Sequence, residues 1–223
     1  MPFVEDVVDY VGKQRYLAVS LICYLLADAF VPDNRVLTYA ILAMLIVSGP
    51  LATGKNTLQR VVTISLALLM VTVGYYSTRV GSPEVNFFAH MIGAAFFLAL
   101  IVLISRALLV EQTRVTGETL WAAINVYVLF GMLFAFLYSS LLSLNPGAFA
   151  GGILEHDGQD ATQSMVYYSF VTMTTLGYGD ITPKTHVAAT LAYVQALIGQ
   201  LYVAILIARL VSMYNAQPQR TEE

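Results

Sequence analysis

The chain has 223 residues, of which 58% are hydrophobic and only 11% are charged. A soluble domain carries about 25% charged residues, so this chain has too few polar side chains to cover a large water-exposed surface. A mean hydropathy of +0.71 agrees and indicates an integral membrane protein. The net charge of −3 is small and gives no support for a nucleic-acid partner, and the single cysteine, Cys23, excludes a disulfide within the chain.

The first 15 residues predict a short amphipathic helix. Their apolar side chains recur at helical spacing opposite the acidic residues Glu5, Asp6 and Asp9. A helix with such a face lies at the membrane surface and does not cross the bilayer. We therefore expect residues 1–15 to form an interfacial N-terminal helix.

Six apolar stretches are candidates for membrane-spanning helices, each of which needs roughly 20 apolar residues. They are residues 16–31, 36–54, 61–78, 85–105, 119–144 and 187–208. The first is short and contains Asp28. Six spans divide the basic residues unequally and predict that both termini are cytoplasmic. The cytoplasmic group is Lys13, Arg15, Lys55, Arg60, Arg106, Arg114, Arg209 and Arg220, and the opposite group is Arg35, Arg79 and Lys184.

A segment too short to cross a membrane lies between the last two spans. A Gly-rich acidic loop at 145–160 is followed by an apolar stretch at 162–173. About 12 helical residues reach only about halfway through the hydrocarbon core. The next seven residues, TTLGYGD at 174–180, contain two glycines that allow positive φ. Irregular backbone at membrane depth is tolerated only where protein buries it or where it lines a wet cavity, so this loop should line a pore.

The half-span, the TTLGYGD loop and the two flanking spans resemble the pore domain of the potassium channel family in order and spacing. Leu176 is a mild departure, because valine or isoleucine is also common at that position. The resemblance covers residues 119–212 and implies four elements: an outer helix at 119–144, a pore helix at 162–173, a selectivity filter at 174–180 and an inner helix at 187–212. It implies K⁺ as the permeant ion without any other cofactor, and a ring of four chains, since one chain supplies only one such loop.

The resemblance also implies roles for individual residues. Backbone carbonyls, together with one threonine hydroxyl, would replace the water around the ion; they belong to Thr175, Leu176, Gly177 and Tyr178. Filter support and the outer mouth are assigned to Thr174, Gly179, Asp180, Tyr167 and Tyr168. The inner helix would supply a hinge at Gly199 and a cavity face formed by Gln200, Val203, Ile207 and Val211. Helix packing by Gly199 and hydrogen bonding by Gln200 to a neighbouring helix remain alternatives.

Residues 16–105 resemble the four-helix domain of voltage-gated channels without its charges. The fourth helix has no basic residue before Arg106, whereas steep voltage gating needs several charges per subunit within the membrane field. We therefore predict an all-α membrane protein of voltage-gated-channel-like architecture, with six transmembrane helices, a re-entrant pore helix and no arginine voltage sensor. A cytoplasmic linker at 106–118 would join the two domains, and a short cytoplasmic tail would follow at 213–223.

The predicted function is passive, potassium-selective conduction by a homotetramer. The predicted location is the plasma membrane, which is the inner membrane of a prokaryotic cell, with K⁺ and membrane lipids as partners. Two alternatives stay open: a less selective cation channel of the same fold, and a non-conducting regulatory subunit. A membrane enzyme is a third alternative, but the sequence shows no Ser/His pair, His/Glu metal set or paired acids at membrane depth.

Overall fold

The computed structural model describes residues 14–26, 35–52, 57–110, 117–151 and 161–215. Within these ranges the chain is almost entirely helical. Its helices are α1 (Gln14–Leu26), α2 (Arg35–Ala52), α3 (Thr57–Val80), α4 (Pro83–Val110), α5 (Gly117–Leu144), α6 (Ala161–Met173) and α7 (His186–Asn215). A short 3₁₀ helix covers Pro146–Ala148, and two short strands, β1 (Phe149–Ala150) and β2 (Thr182–Pro183), flank α6. Residues 1–13 of the predicted interfacial helix, Asp28, most of the acidic loop and the tail beyond 215 lie outside the described residues.

A helix lies at each of the six predicted apolar stretches. Four of these helices are long and apolar enough to cross a membrane: Thr57–Val80, Pro83–Leu108, Thr119–Leu144 and His186–Arg209. The described part of α1 is shorter than a span, and α2 has 18 residues. The chain is therefore a multi-pass helical membrane protein, and the count of six spans stays a prediction.

Helix α4 extends beyond its predicted span, which ended at residue 105. It continues through Arg106 to Val110, so the first part of the predicted linker is helical. No glycine or proline interrupts the sequence after Gly93, and leucine, isoleucine and alanine in this stretch favour helix continuation. Helix α5 begins at Gly117, two residues before the predicted start of the outer helix.

The main core lies between α4 and α5 of the same chain. Phe97 on α4 and Phe136 on α5 are buried, with ring centroids 5.2 Å apart. A Cβ at Gly93 would lie 2.3 Å from the Phe136 ring, so only glycine allows this approach of the two helices. Helix α4 is therefore joined directly to the outer helix of its own chain.

Buried polar side chains join α1 to its neighbours. Asn125 on α5 donates to the backbone carbonyl and the side-chain oxygen of Gln14, at 2.9 and 3.0 Å, and the Gln14 amide donates to the Ala52 carbonyl at the end of α2. Ser20 and Ser48 share a 2.7 Å hydrogen bond between α1 and α2. Polar groups that lie away from water are costly unless they are paired, so these bonds fix how α1, α2 and α5 meet.

A second buried cluster lies around α6. Its aromatic centre consists of Tyr138 from α5, Phe149 from β1 and Tyr168 from α6, with ring centroids 5.0 to 5.6 Å apart. Edge-to-face aromatic pairs of this kind add about 0.5–1.5 kcal/mol each beyond their buried area. The cluster holds α6 in place, and α6 in turn leads directly into the TTLGYGD loop.

Candidate functional site

In the TTLGYGD loop every second residue from 175 to 179 has a left-handed backbone conformation. Thr175, Gly177 and Gly179 have left-handed φ values of 60°, 56° and 78°, and among the described residues only Gly81 shares this feature. The two glycines adopt it without a Cβ clash, as the sequence predicted. Thr175 is β-branched and was not expected there, because the same conformation costs a non-glycine residue roughly 1–2 kcal/mol. Strain that persists at one residue of a short loop indicates that the surrounding structure demands that shape.

The inner half of the loop is tied back to the end of α6. The amide groups of Leu176 and Gly177 both donate to the Val171 carbonyl, at 3.0 and 3.4 Å, and the Thr174 amide donates to Phe170 at 3.0 Å. These bonds satisfy carbonyls that the end of a helix leaves unpaired. In the described part of the chain, no backbone amide donates to the carbonyl oxygens of residues 175–178. Those oxygens are therefore available to another ligand.

The loop is exposed on the surface of the single chain. All residues from 174 to 179 are exposed, including Leu176 at 55% and Tyr178 at 66%. The residues just before it are different, because Val171 and Met173 are buried. An exposed irregular backbone is stable at membrane depth only beside more protein or beside water. The described residues leave this loop uncovered, so either water or further protein must surround it.

Tyr167 and Asp180 support the outer end of the loop. The Tyr167 hydroxyl donates to Asp180 Oδ2 at 2.5 Å, while Asp180 Oδ1 accepts from the Ile181 amide at 3.0 Å. The hydrogen bond to Asp180 raises the pKa of Tyr167 to about 12, so this hydroxyl stays protonated as the donor. Tyr168, which the sequence grouped with Tyr167, packs instead into the aromatic cluster with Tyr138 and Phe149.

The segment after the loop is fixed to the segment after α5. Strands β1 and β2 pair antiparallel, and the Lys184 amide donates to the Ala148 carbonyl at 2.8 Å. A Cβ at Gly151 would lie 1.8 Å from the Asp180 carbonyl oxygen, so this crossing requires glycine. The sequence predicted an irregular loop here and gave no sign of the two-residue strands, which are too short to show an alternating pattern.

Gly199 on α7 packs against the residue that precedes the loop. A Cβ there would lie 2.7 Å from Met173 Cγ and 2.8 Å from the Met173 carbonyl oxygen. This geometry gives Gly199 a packing role, while the predicted hinge remains a prediction. The predicted cavity residues of α7 are all exposed in the single chain; they are Gln200, Val203, Ile207 and Val211.

Three buried polar residues near the loop were missed by the sequence reasoning. Tyr138, Ser169 and Gln195 form one hydrogen-bonded network that joins α5, α6 and α7. One signal was present in the sequence. Gln195 is a polar residue within an apolar spanning stretch, and such residues face protein or water and often serve function.

Side-chain clusters for a bound metal are absent from the described ranges, in which no three His, Cys, Asp or Glu side chains come together. The TTLGYGD loop itself offers backbone carbonyl oxygens and the hydroxyl group of Thr175. Such oxygen ligands suit hard cations.

Residues 126–216 match a protein-family model described as an ion channel. This stretch is similar to ion-channel domains. It begins inside α5 and contains α6, the TTLGYGD loop and α7. The match supports ion-channel function and points to transport across a bilayer instead of enzyme chemistry. No solved structure matches the chain.

Proposed function

We propose that the channel conducts K⁺ selectively and passively through a pore formed by the TTLGYGD loop. The observation that carries this proposal is the alternating handedness at Thr175, Gly177 and Gly179. Alternating left- and right-handed torsions turn successive carbonyls toward the same side of a chain. The carbonyls of residues 175–178 receive no backbone amide from the described residues, so they are free to contact an ion.

The selectivity follows from what replaces the water shell of the ion. Thr175, Leu176, Gly177 and Tyr178 would present rings of carbonyl oxygens, with the Thr175 hydroxyl at the inner end. Rings of carbonyl dipoles substitute for the hydration of one monovalent cation better than for that of another. Hydrogen bonds from the loop to α6, together with the Tyr167–Asp180 hydrogen bond, support the backbone that carries these oxygens.

A ring of oxygens requires several copies of the chain, and we propose a homotetramer. Leu176 and Tyr178 leave more than half of their surface uncovered within one chain, and apolar side chains of α7 such as Leu197 and Ile205 do so as well. Cyclic association would place the loops around one axis. In that arrangement Gln200, Val203, Ile207 and Val211 would line the inner cavity.

The four helices before the pore domain act as a packing partner in this proposal and not as an arginine voltage sensor. Along α4 the first basic residue is Arg106, which is exposed within the last turns of the helix. The charge that moves across the membrane field would thus be small. We further propose that the channel lies in the plasma membrane with both termini in the cytoplasm, as the distribution of Lys and Arg predicts.

Recording from purified protein in planar bilayers tests the proposal directly. With unequal K⁺ and Na⁺ on the two sides, the reversal potential should follow the K⁺ gradient by about 59 mV per tenfold change. A reversal potential that follows both ions equally would favour the less selective cation channel. Absence of current from well-folded protein would favour the regulatory subunit.

Subunit count and orientation are tested separately. Chemical cross-linking of protein in native membranes should stop at four chains. In a Cys23→Ser background, a cysteine introduced at Ser82 should react with an impermeant thiol reagent added from outside. A cysteine introduced at Lys55 should react only after the membrane is permeabilised. Reversed labelling would overturn the proposed orientation.

A further inference from the structure

A buried hydrogen-bond network connects the inner helix to the pore helix. The Tyr138 hydroxyl donates to Gln195 Oε1 at 2.6 Å, and Gln195 Nε2 donates to the carbonyl and hydroxyl oxygens of Ser169 at 3.1 and 2.7 Å. The Ser169 hydroxyl then donates to the Gly131 carbonyl at 2.6 Å. Tyr138 and Ser169 have no exposed surface, and Gln195 is 1% exposed.

Every polar atom of the Gln195 side chain has a partner in this network. Its oxygen accepts one bond from Tyr138 on α5 and its nitrogen donates two to Ser169 on α6. A fully satisfied buried network specifies one arrangement of the elements that it joins, because any shift leaves a polar group unpaired. The network therefore fixes the position of α7 against α6 and α5.

A second contact lies one helical turn further along both helices. Gly199 lies four residues after Gln195 on α7, and it packs against Met173, which lies four residues after Ser169 on α6. Residues four apart lie on the same helix face. The two contacts thus hold α6 against α7 at two points. They fix the position of α6 along α7 and its rotation about its own axis.

The same part of α6 carries the loop. Val171 lies between the two contact points, and its carbonyl accepts the amides of Leu176 and Gly177. Met173 is the last residue of α6, directly before Thr174. A displacement of α6 relative to α7 would therefore move the hydrogen-bonded half of the loop.

We propose that Gln195 is a positioning residue for ion selectivity, which acts through Ser169 and α6 on the spacing of the loop carbonyls. This inference rests on the proposed potassium-selective function. Tyr138 and Ser169 contribute to the same positioning of α6, because they are the hydrogen-bond partners of Gln195. The Gly199–Met173 contact is the second point at which α6 is aligned with α7. A shift of α7 would reach the loop through these two contacts.

Three variants test the inference. Gln195→Leu removes the amide and leaves the Tyr138 hydroxyl unpaired, whereas the double variant Tyr138→Phe with Gln195→Leu removes both partners. Replacing both members of a buried pair by apolar groups restores stability far better than removing one. The K⁺/Na⁺ permeability ratio should fall roughly tenfold in Gln195→Leu. A tenfold change corresponds to about 1.4 kcal/mol, which is part of what the three lost hydrogen bonds contribute. The double variant should regain thermal stability of the tetramer but keep the lowered ratio.

Ser169→Ala is a milder variant that keeps the bond from Gln195 to the backbone carbonyl, and it should lower the ratio less, in the same direction. Gln14→Leu is the matched control, because Gln14 is an equally buried amide that joins α1, α2 and α5 and not α6. It should lower thermal stability without changing the permeability ratio.

Two results would overturn the inference while leaving the proposed function intact. One is an unchanged permeability ratio in folded Gln195→Leu or in Ser169→Ala. The other is recovery of both stability and selectivity in the double variant, which would show that the network only supports folding. Wild-type protein without potassium-selective current would instead refute the proposed function, and the inference would fail with it.

Discussion

Replacement of Gly177 by alanine is the most direct test of the loop. Gly177 has a φ of +56°, and an added Cβ would meet no atom within 4 Å in the single chain. The substitution therefore acts through the backbone torsion and not through a clash within the chain. Alanine in this conformation costs roughly 1–2 kcal/mol.

The cost multiplies in the proposed ring of four chains. At about 1 kcal/mol per chain, the population with the required torsion falls by about fivefold in each copy. If all four loops must have this shape for ions to pass, the conducting population falls by roughly 10³-fold. The fold of each chain should change little, because the added Cβ meets no atom of its own chain.

Efflux of K⁺ from liposomes containing purified protein measures the effect, and thermal unfolding of the same samples measures stability. Gly81→Ala is the matched control. Gly81 has a φ of +67° and open space around its Cβ position, but it lies in the turn between α3 and α4. It should show the same backbone cost in stability and normal K⁺ efflux.

Normal K⁺ efflux in Gly177→Ala, from protein that carries four copies of the variant, would refute the assignment of the loop as the ion path. Equal loss of efflux in both variants would show that general destabilisation, and not the loop, limits conduction. The expected pattern is a large loss in Gly177→Ala alone.

Three further predictions concern the mouth of the loop and the helices around it. Tyr167→Phe removes the hydroxyl that is hydrogen-bonded to Asp180 and should destabilise the outer end of the loop by about 1–3 kcal/mol. The current should then decay faster during sustained recording. An unchanged decay would show that Tyr167 does not support the loop. Gly151→Ala places a Cβ 1.8 Å from the Asp180 carbonyl oxygen and should abolish conduction. Gly147→Ala should be tolerated, because its Cβ would lie 3.4 Å from the Asn145 side chain. Equal conduction in the two variants would contradict the close contact between Gly151 and Asp180. Open probability should vary little between about −100 and about +100 mV, because each charge that crosses the field contributes about 2.3 kcal/mol per 100 mV and α4 has no Arg or Lys before Arg106. A steep voltage dependence in single-channel recordings would show that gating charge moves elsewhere in the protein.

The local shape of the loop could be predicted because it depends on neighbouring residues. Glycines at 177 and 179 permit left-handed torsions, and the short apolar stretch predicted a half-length helix at 162–173, which the structure places at Ala161–Met173. The torsion of Thr175 could not be predicted from the sequence, because a left-handed φ is unfavourable for threonine. The hydrogen bonds from the loop amides to carbonyls of α6 hold the backbone on both sides of Thr175 and support this torsion.

Contacts between distant residues could not be predicted in the same way. Gln195 lies 26 residues from Ser169 and 57 from Tyr138, and a single sequence does not show which polar residues in separate helices will meet. The different orientations of Tyr167 and Tyr168 had the same cause. Adjacent residues on a helix point about 100° apart, so one tyrosine reaches Asp180 and the other the aromatic cluster.

The close approach of α4 to α5 at Gly93 and Phe136 has a consequence for biogenesis. Each newly inserted polypeptide can bury the contact between α4 and α5 without a sister molecule, so the proposed ring would bring together chains in which these two helices are already packed. Mixed rings from diverged gene copies would then need matching surfaces only near the central axis. The peripheral helices could drift in sequence, since their packing is settled inside each protomer.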